Sequence, residues 1–129
     1  MRAALADAGL GPLDVDYVNA HGTATEANDR AEAIALEAVF HGRGPLISSS
    51  KGATGHTLGA AGAIEAVVSV LALSTGYVPA TVGMKNPDPR LRIRHVPADG
   101  VSMPLGVVLS NSFGFGGNNA ALVLMRRSP

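Results

Sequence analysis

The segment from residue 60 to residue 73 is apolar on nearly every face of the helix that it can form. Large apolar residues repeat there at helical spacing: Ile64, Val67, Val68, Leu71 and Ala72. A helix that is apolar all round has to be covered on most sides, so the segment predicts a buried helix in a layered fold. Because Gly62, Glu65 and Ser69 interrupt it, we expect it to be too short to cross a bilayer.

Helices and strands alternate along the rest of the chain. Helices are predicted over residues 1–8, 29–41 and about 64–75, strands over 15–20, 46–50, 105–110 and 120–125, and an extended connector over 77–104. The second helix is expected to begin with a capping box of Asp29 and Glu32 and to stop at Gly42. This order predicts an α/β fold in which a mixed sheet is packed with helices and ends in an antiparallel hairpin. A length of 129 residues fits a single domain, residues 1–129.

Composition excludes several classes of function. Ten basic residues balance ten acidic ones, and Arg90, Arg92 and Arg94 alternate as on a solvated strand face, so no nucleic-acid surface is expected. The chain has no cysteine, which excludes a disulfide framework, a thiolate metal site and a cysteine nucleophile within it. Without a signal peptide or a predicted membrane span, we expect a cytoplasmic protein.

Two histidines lie on glycine-rich turns. His21 follows a predicted strand and precedes a Gly-Thr-x-Thr turn with Thr23 and Thr25, and His56 ends the stretch Lys51-x-x-x-Gly-His. Strand ends in α/β sheets collect catalytic groups, although a single histidine there can also be structural. A metal site formed by the two histidines, Asp29 and Glu32 has no supporting spacing. His41 and His95 are expected at the surface.

Lys51 and Glu65 both lie in strongly apolar surroundings. If they are buried, each has to be paired or neutralised, because burying an isolated charge is very costly. Two interpretations remain open: an ordinary structural pair, or a pair that fixes the hydrogen bonding of His56.

The glycine-rich stretches also raise nucleotide and phosphate binding as alternatives. Neither a G-x-G-x-x-G fingerprint nor a P-loop occurs, so the turn after Lys51 does not favour a dinucleotide. The loop at residues 113–117, Phe-Gly-Phe-Gly-Gly, looks too elaborate for a simple hairpin. No helix N-terminus follows it, which disfavours a phosphate cradle, and we expect an oxyanion hole of backbone amides instead.

Together and in this order, these motifs resemble the elongating β-ketoacyl-acyl carrier protein synthases and the polyketide ketosynthases. The resemblance rests on His-Gly-Thr-x-Thr from His21, on Lys-x-x-x-Gly-His from Lys51 with Gly-Ala-Ala-Gly after it, and on Asn-Ser-Phe-Gly-Phe-Gly-Gly-Asn from Asn111. It covers nearly the whole chain and implies the C-terminal half of a thiolase-like fold. It further implies acyltransferase chemistry, namely decarboxylative Claisen condensation in fatty acid or polyketide synthesis.

The resemblance also implies roles for individual residues. His21 and His56 would hydrogen-bond the malonyl thioester oxygen, the buried Lys51 with its carboxylate partner Glu65 would support the site, and the backbone amide of Phe115 would join the oxyanion hole with Phe113 behind it. Thr23 and Thr25 would bind the phosphopantetheine arm of acyl carrier protein, and no cofactor or metal would be bound by the protein itself.

The implied partners follow from what the chain lacks. We expect acyl carrier protein, a cysteine-bearing N-terminal half and a dimer, and no condensation by the chain alone, since no nucleophile holds the acyl group. The alternative is a non-catalytic partner subunit of the chain-length-factor kind. Because such partners tend to lose the histidines, which are retained here, the sequence favours the catalytic interpretation. We also expect exposed apolar surface and association when the chain stands alone.

Overall fold

A five-stranded mixed sheet organises the chain. The computed structural model describes residues 1–42 and 44–126. Its elements are, in chain order, α1 (Arg2–Asp7), β1 (Tyr17–Asn19), α2 (Glu26–Phe40), β2 (Leu46–Ser48), α3 (Lys51–Thr54), α4 (Ala61–Thr75), β3 (Tyr77–Val78), β4 (Arg94–His95), β5 (Val101–Ser102), β6 (Val107–Phe113) and β7 (Asn119–Met125).

The strand order in this sheet is β4-β2-β1-β6-β7. All neighbours are parallel except β6 and β7, which form the predicted antiparallel hairpin. In the central register Val18 lies beside Ile47 on one side and beside Leu109 on the other. Parallel strands of this kind are covered on both faces, and Val18 and Leu109 are fully buried. The α/β class and the mixed sheet are therefore confirmed.

Helices cover the two faces of the sheet unequally. Leu36 and Phe40 of α2 and Leu5 of α1 pack on one face in a cluster with Val18 and Leu109. On the other face, Ala72 and Leu73 of α4 pack in a second cluster that includes Tyr17 and Val108. The chain thus has an outer helical layer, a sheet and a second helical layer, and α4 is the main element of that second layer.

The outward side of α4 differs from the sequence prediction. Val67, Val70 and Leu71 are 58%, 51% and 55% exposed, so the prediction that this helix is buried nearly all round is wrong for these residues. We call these three residues the open face of α4. Leu122 of β7 is also about half exposed, at 49%. The exposed apolar surface that the sequence predicted is therefore present.

The helical stretch around α4 is also longer than the sequence indicated. From Leu58 to Thr75 it has 18 residues, and by length and composition alone it could cross a membrane. However, it packs against β6 and buries Glu65 and Ser69, as a core helix of a layered domain does. The contacts made by the inward side of α4 therefore account for the position of this helix in the fold, and no membrane is needed to explain it.

The start of α2 corrects the predicted capping box. Thr25 is the N-cap, and its hydroxyl accepts a hydrogen bond from the backbone N–H of Asn28 at 3.4 Å. The helix therefore begins three residues earlier than the Asp29–Glu32 pattern indicated, because Thr25 offers a competing cap. Glu32 is inside the helix and is buried, which frees its carboxylate for another role.

Two further predictions about loops are wrong. The connector contains three two-residue strands: β4 joins the main sheet, and β3 pairs with β5 in a separate ribbon. The hairpin loop has five residues, Gly114 to Asn118, because Phe113 still belongs to β6 and pairs with Asn119. Five residues lie within the ordinary range for a hairpin, so the loop is not unusually elaborate.

The connector approaches α3 closely at Gly52. A Cβ atom at this position would collide with the backbone carbonyl oxygen of Val82. Gly59, in the turn before α4, has open space around the same position. The close approach therefore fixes the connector against α3 and makes Gly52 necessary for packing.

We predict that Gly52→Ala destabilises the chain by about 1–3 kcal/mol, because the backbone has to move to admit the methyl group. Gly59→Ala is the matched control, and its effect should stay within about 0.5 kcal/mol or be stabilising. Urea denaturation followed by circular dichroism measures both. Equal stability of the two variants would contradict the close approach.

Candidate active site

The site residues collect at the carboxyl ends of three neighbouring parallel strands. His21 follows β1, Lys51 follows β2, and Ser112 and Phe113 end β6. Because these strands run in the same direction, their ends meet at one edge of the sheet, where ligands bind in open α/β sheets. His21 is buried, at 7% exposure, while His56 lies on the exposed turn that follows α3.

The two imidazole rings lie close together in an edge-to-face arrangement. Their centroids are 5.5 Å apart and the planes are nearly perpendicular, at 86°. The ring of Phe113 lies 5.6 Å from that of His21. Residues that are 35 positions apart in the sequence therefore form one polar centre with an aromatic wall.

A buried ion pair lies beside His21. The Lys51 ammonium group donates to Oε1 of Glu65, and the side chains are only 5% and 2% exposed. The Nζ atom of Lys51 is also 3.4 Å from Nδ1 of His21, and the hydroxyl of Ser112 donates to Oε2 of Glu65 at 3.4 Å. The predicted burial and pairing of Lys51 and Glu65 are present. Their contact is with His21, however, not with His56 as one interpretation had it, because Lys51 is directed inward from α3.

His21 is held in its neutral form. Burial, with the nearby positive charge of Lys51 and the neighbouring His56 ring, lowers its pKa to about 4. Because an ammonium group can only donate, its contact with Nδ1 makes that nitrogen the acceptor. The proton of neutral His21 is therefore on Nε2, which makes Nε2–H a hydrogen-bond donor.

The backbone sets the same tautomer at His56. Its Nδ1 accepts a hydrogen bond from the backbone N–H of Leu58 at 3.2 Å. In a neutral ring this leaves the proton on Nε2. Leu58 itself has φ of +51°, a left-handed conformation that is uncommon for a residue with a branched side chain. The turn thus accepts backbone strain at the position that orients the second histidine.

Glu32 is a site residue that sequence reasoning assigned to helix capping. Its Oε1 accepts from the backbone N–H of His21 at 2.9 Å, and its Oε2 accepts from that of Gly22 at 2.9 Å. Asn111 of β6 donates to Oε1 at 3.1 Å. Burial raises the pKa of the Glu32 carboxyl, and these hydrogen bonds oppose that rise. The sequence contained one signal for this role: Glu32 lies on the apolar side of α2, next to Ala33 and one turn before Leu36.

The other predicted site residues lie at the edge of this centre. The hydroxyls of Thr23 and Thr25 are 3.0 Å apart, and Thr25 also caps α2. The Phe115 ring is fully exposed, whereas the ring of Phe113 lies 5.6 Å from that of His21. The geometry therefore brings together His21, His56, Lys51, Glu65 and Phe113, and leaves the side chain of Phe115 in solvent.

The remaining histidines and acidic groups do not extend the site. His41 is exposed, as predicted. His95 is half-buried and its Nε2 is enclosed, so its predicted surface position is wrong, because β4 joins the sheet there. Within residues 1–42 and 44–126, no three histidine or carboxylate side chains lie close enough together to hold a metal ion.

The family model of the β-ketoacyl synthase C-terminal domain matches residues 1–85. The chain belongs to this family. It is 48% identical over 128 residues to 3-oxoacyl-[acyl-carrier-protein] synthase 2 of Coxiella burnetii, and 48% identical to the mitochondrial 3-oxoacyl-[acyl-carrier-protein] synthase of Arabidopsis thaliana.

Solved ketosynthase structures have the same fold. The ishigamide ketosynthase/chain length factor superposes with a TM-score of 0.95 at 37% identity over 98% of this chain. A ketosynthase in complex with its type II polyketide acyl-carrier protein gives a TM-score of 0.93 at 36% identity, again over 98% of the chain. The thiolase-like fold is therefore confirmed.

The family members are about three times as long as this chain. The match covers 98% of the chain but 31% of the Coxiella burnetii synthase and 32% of each of these two solved chains. This chain therefore corresponds to about one third of each of these relatives.

The state of His21 generates a prediction for pH dependence. Its pKa in the folded chain, about 4, lies below the value of 6.5 for an unperturbed imidazole. Between these values the unfolded chain binds more protons, so the free energy of unfolding should rise with pH from about 4 to 6.5 through this residue. NMR titration should find the His21 ring neutral down to about pH 4. His21→Gln should remove this part of the slope, and a titration midpoint near 6.5 would contradict the account.

The role of Glu32 generates a second prediction. Glu32→Gln replaces one acceptor oxygen by an NH₂ group, so one backbone N–H of the His21–Gly22 turn loses its partner. We expect a loss of about 1–3 kcal/mol of stability and a displacement of the amide resonances of residues 21–23. Glu26→Gln, on the exposed first turn of the same helix, should have a small effect. An unchanged His21 amide in Glu32→Gln would show that the carboxylate does not hold the turn.

Proposed function

We propose that this chain supplies the enolate-stabilising part of a β-ketoacyl-acyl carrier protein synthase. The proposal is supported chiefly by the pair of imidazoles, each with Nδ1 occupied and Nε2–H available, in a site whose rings are 5.5 Å apart. Two fixed neutral donors suit an oxygen atom that gains negative charge during a reaction. Membership of the β-ketoacyl synthase family names the reaction that needs them.

The proposed step is decarboxylation of a malonyl thioester. The bond between Cα and the carboxylate carbon breaks, CO₂ leaves, and the electron pair becomes the enolate of the thioester. Nε2–H of His21 and of His56 would donate to the enolate oxygen, where charge develops only as the bond breaks. One such donor is typically worth about 3–4 kcal/mol. The enolate carbon would then attack an acyl thioester and release the thiolate of a cysteine.

That cysteine has to come from elsewhere, because this chain has none. We infer that the second layer of the fold is where the cysteine-bearing N-terminal half packs. The open face of α4 is apolar, lies on the opposite side of the sheet from α2, and belongs to a chain that covers 31% of the Coxiella burnetii synthase. We expect the assembled enzyme to be a dimer in the cytoplasm.

Three side chains would act as positioning residues, those of Lys51, Glu65 and Glu32. Lys51 holds Nδ1 of His21 as an acceptor, Glu65 balances the buried charge, and Glu32 fixes the backbone of the turn. The backbone amide of Phe115 would join the oxyanion hole for the acyl thioester, with Phe113 as the wall behind it.

Substrate would arrive on acyl carrier protein. Thr23 and Thr25 follow His21 in the chain and their hydroxyls are in contact, which suits hydrogen bonding to a phosphopantetheine arm. No cofactor bound by the protein is required by this chemistry. The ketosynthase seen with an acyl-carrier protein supports a carrier partner for this chain as well.

A non-catalytic subunit of the chain-length-factor kind is the second candidate. It is favoured by the absence of cysteine and by the likeness to the ishigamide ketosynthase/chain length factor. The catalytic proposal accounts for more of the geometry, because a subunit that only shapes a pocket does not need two histidines held as donors.

Removal of each histidine tests the proposal. The chain is combined with the preceding part of the Coxiella burnetii synthase, and release of CO₂ from malonyl-carrier protein is measured. His21→Ala and His56→Ala should each lower the rate by about 10²–10³. His41→Ala, an exposed histidine at the end of α2, should leave it unchanged. Unchanged decarboxylation in both site variants would favour the non-catalytic subunit.

The open face of α4 gives a separate prediction. Leu71→Lys should abolish copurification with the preceding part of the synthase, because a charge would be buried in the interface. Ile34→Lys is the matched control, since Ile34 is equally exposed, at 58%, but lies on α2 across the sheet. Loss of the complex in both variants, or in neither, would contradict the assigned interface.

A further inference from the structure

The last strand, β7, leaves one edge of the main sheet open. It lies at the end of the strand order with β6 as its neighbour, and no other strand within residues 1–42 and 44–126 pairs with it. β7 has seven residues and contains neither a charged residue nor a proline. Soluble proteins usually keep edge strands short, charged or interrupted by proline, because a long apolar edge is a template for pairing with another chain.

Alternate residues of β7 direct their backbone groups away from the sheet. The backbone N–H of Arg126 donates to the carbonyl of Gly106 at 2.8 Å, and that of Gly114 donates to the carbonyl of Asn118 at 3.0 Å. Because an antiparallel ladder alternates, the even-numbered residues of β7 direct their N–H and C=O groups to β6. The residues that direct theirs to the open edge are Asn119, Ala121, Val123 and Met125.

An exposed apolar side chain lies at the middle of this edge. Leu124 packs against a cluster that includes Ala72 and Leu73 of α4, so the even-numbered side chains of β7 lie on the α4 side of the sheet. Leu122, the central residue of the strand, is on that side and is 49% exposed. The open edge therefore combines backbone hydrogen-bonding groups with an uncovered leucine.

The strand is self-complementary about Leu122. When two copies of β7 are placed antiparallel with Leu122 opposite Leu122, Ala121 of each copy lies opposite Val123 of the other. Asn119 then lies opposite Met125. These are the residues whose backbone groups point to the open edge, so each opposed pair can exchange two hydrogen bonds.

The charges also favour an antiparallel arrangement of two copies. Arg126 of each copy would lie opposite Asn118 of the other, at opposite ends of the paired strands. A parallel pairing in register would instead place the two Arg126 side chains next to each other, where like charges repel. The formal net charge of the chain is +0, so no overall repulsion opposes association.

We propose that the open edge of β7 is the interaction surface for a second copy of this chain, with the two strands antiparallel about Leu122. The two five-stranded sheets would then form one continuous sheet, and the two Leu122 side chains would cover each other on its α4 side. The interface is isologous, as in most symmetric dimers. It is separate from the open face of α4 and uses none of the residues of the proposed mechanism.

Analytical ultracentrifugation of the 129-residue chain tests this inference, with circular dichroism to confirm that each variant is folded. We expect twice the chain mass of 13.0 kDa, and loss of the dimer in Leu122→Lys, because two ammonium groups would meet at the two-fold axis. Leu13→Lys is the control and should remain dimeric, since Leu13 is 80% exposed outside β7. A monomeric unmodified chain would overturn the inference. So would a dimer that survives Leu122→Lys but is lost in Leu71→Lys, on the open face of α4.

Ala121→Pro provides a second variant. The N–H of Ala121 points to the open edge, so proline removes a hydrogen bond to the second copy and none to β6. This variant should also be monomeric, and a folded Ala121→Pro chain that remains dimeric would contradict pairing through β7.

Single cysteines test the register, because the chain has no cysteine of its own. The two Leu122 residues would form a non-hydrogen-bonded pair with Cα atoms about 4.5 Å apart, within reach of a disulfide, so Leu122→Cys should form a covalent dimer on oxidation. Ala120→Cys is the control: Ala120 is exposed on the same side of β7, but its counterpart would be about 14 Å away, so it should not crosslink. Equal crosslinking of the two variants, including none in either, would overturn the inference.

Discussion

The buried pair of Lys51 and Glu65 is the interaction on which the rest of the site depends. It joins α3 to α4 across the ends of the central strands, and both side chains are almost fully removed from water. Burying such a pair is costly unless further hydrogen bonds support it, and here Ser112 and His21 each supply one. The cost of burial is therefore linked to a specific result, a neutral His21 with its proton on Nε2.

Nδ1 of the second histidine is also a hydrogen-bond acceptor, but its donor is the backbone. His56 is exposed and receives its hydrogen bond from the backbone of Leu58, in a strained turn, whereas His21 is buried and is held by side chains. The pair therefore combines a rigid hydrogen-bond donor on the buried His21 with a second donor on His56, at the exposed side of the site where a substrate can enter. Glu32 completes the arrangement because it fixes the peptide groups of His21 and Gly22 from α2.

Much of this could be predicted from the sequence, and the reasons for the failures are physical. The order of helices and strands followed from apolar runs and turn residues, whereas the pairing of Lys51 with Glu65 and the proximity of the two histidines were implied by the family resemblance of the motifs. The strands β3, β4 and β5 were missed because two residues are too few to show alternation. Glu32 was misassigned because the spacing of a capping box is a local pattern, and Thr25 offered a competing cap four residues before the predicted start at Asp29. The exposure of Val67 and Leu71 could not be predicted from the spacing of apolar residues. That spacing shows that a helix face is apolar, but it does not show which part of the protein covers the face.

The central claim is that both imidazoles accept a hydrogen bond at Nδ1 and carry a proton on Nε2. Nitrogen-15 NMR of the side chains of His21 and His56 at pH 7 tests it most directly, because protonated and unprotonated ring nitrogens have well-separated shifts. The account predicts that in both rings Nε2 is protonated and Nδ1 is not. A proton on Nδ1 instead of Nε2 in either ring would leave that histidine unable to donate from Nε2, and would contradict the proposed stabilisation of an enolate.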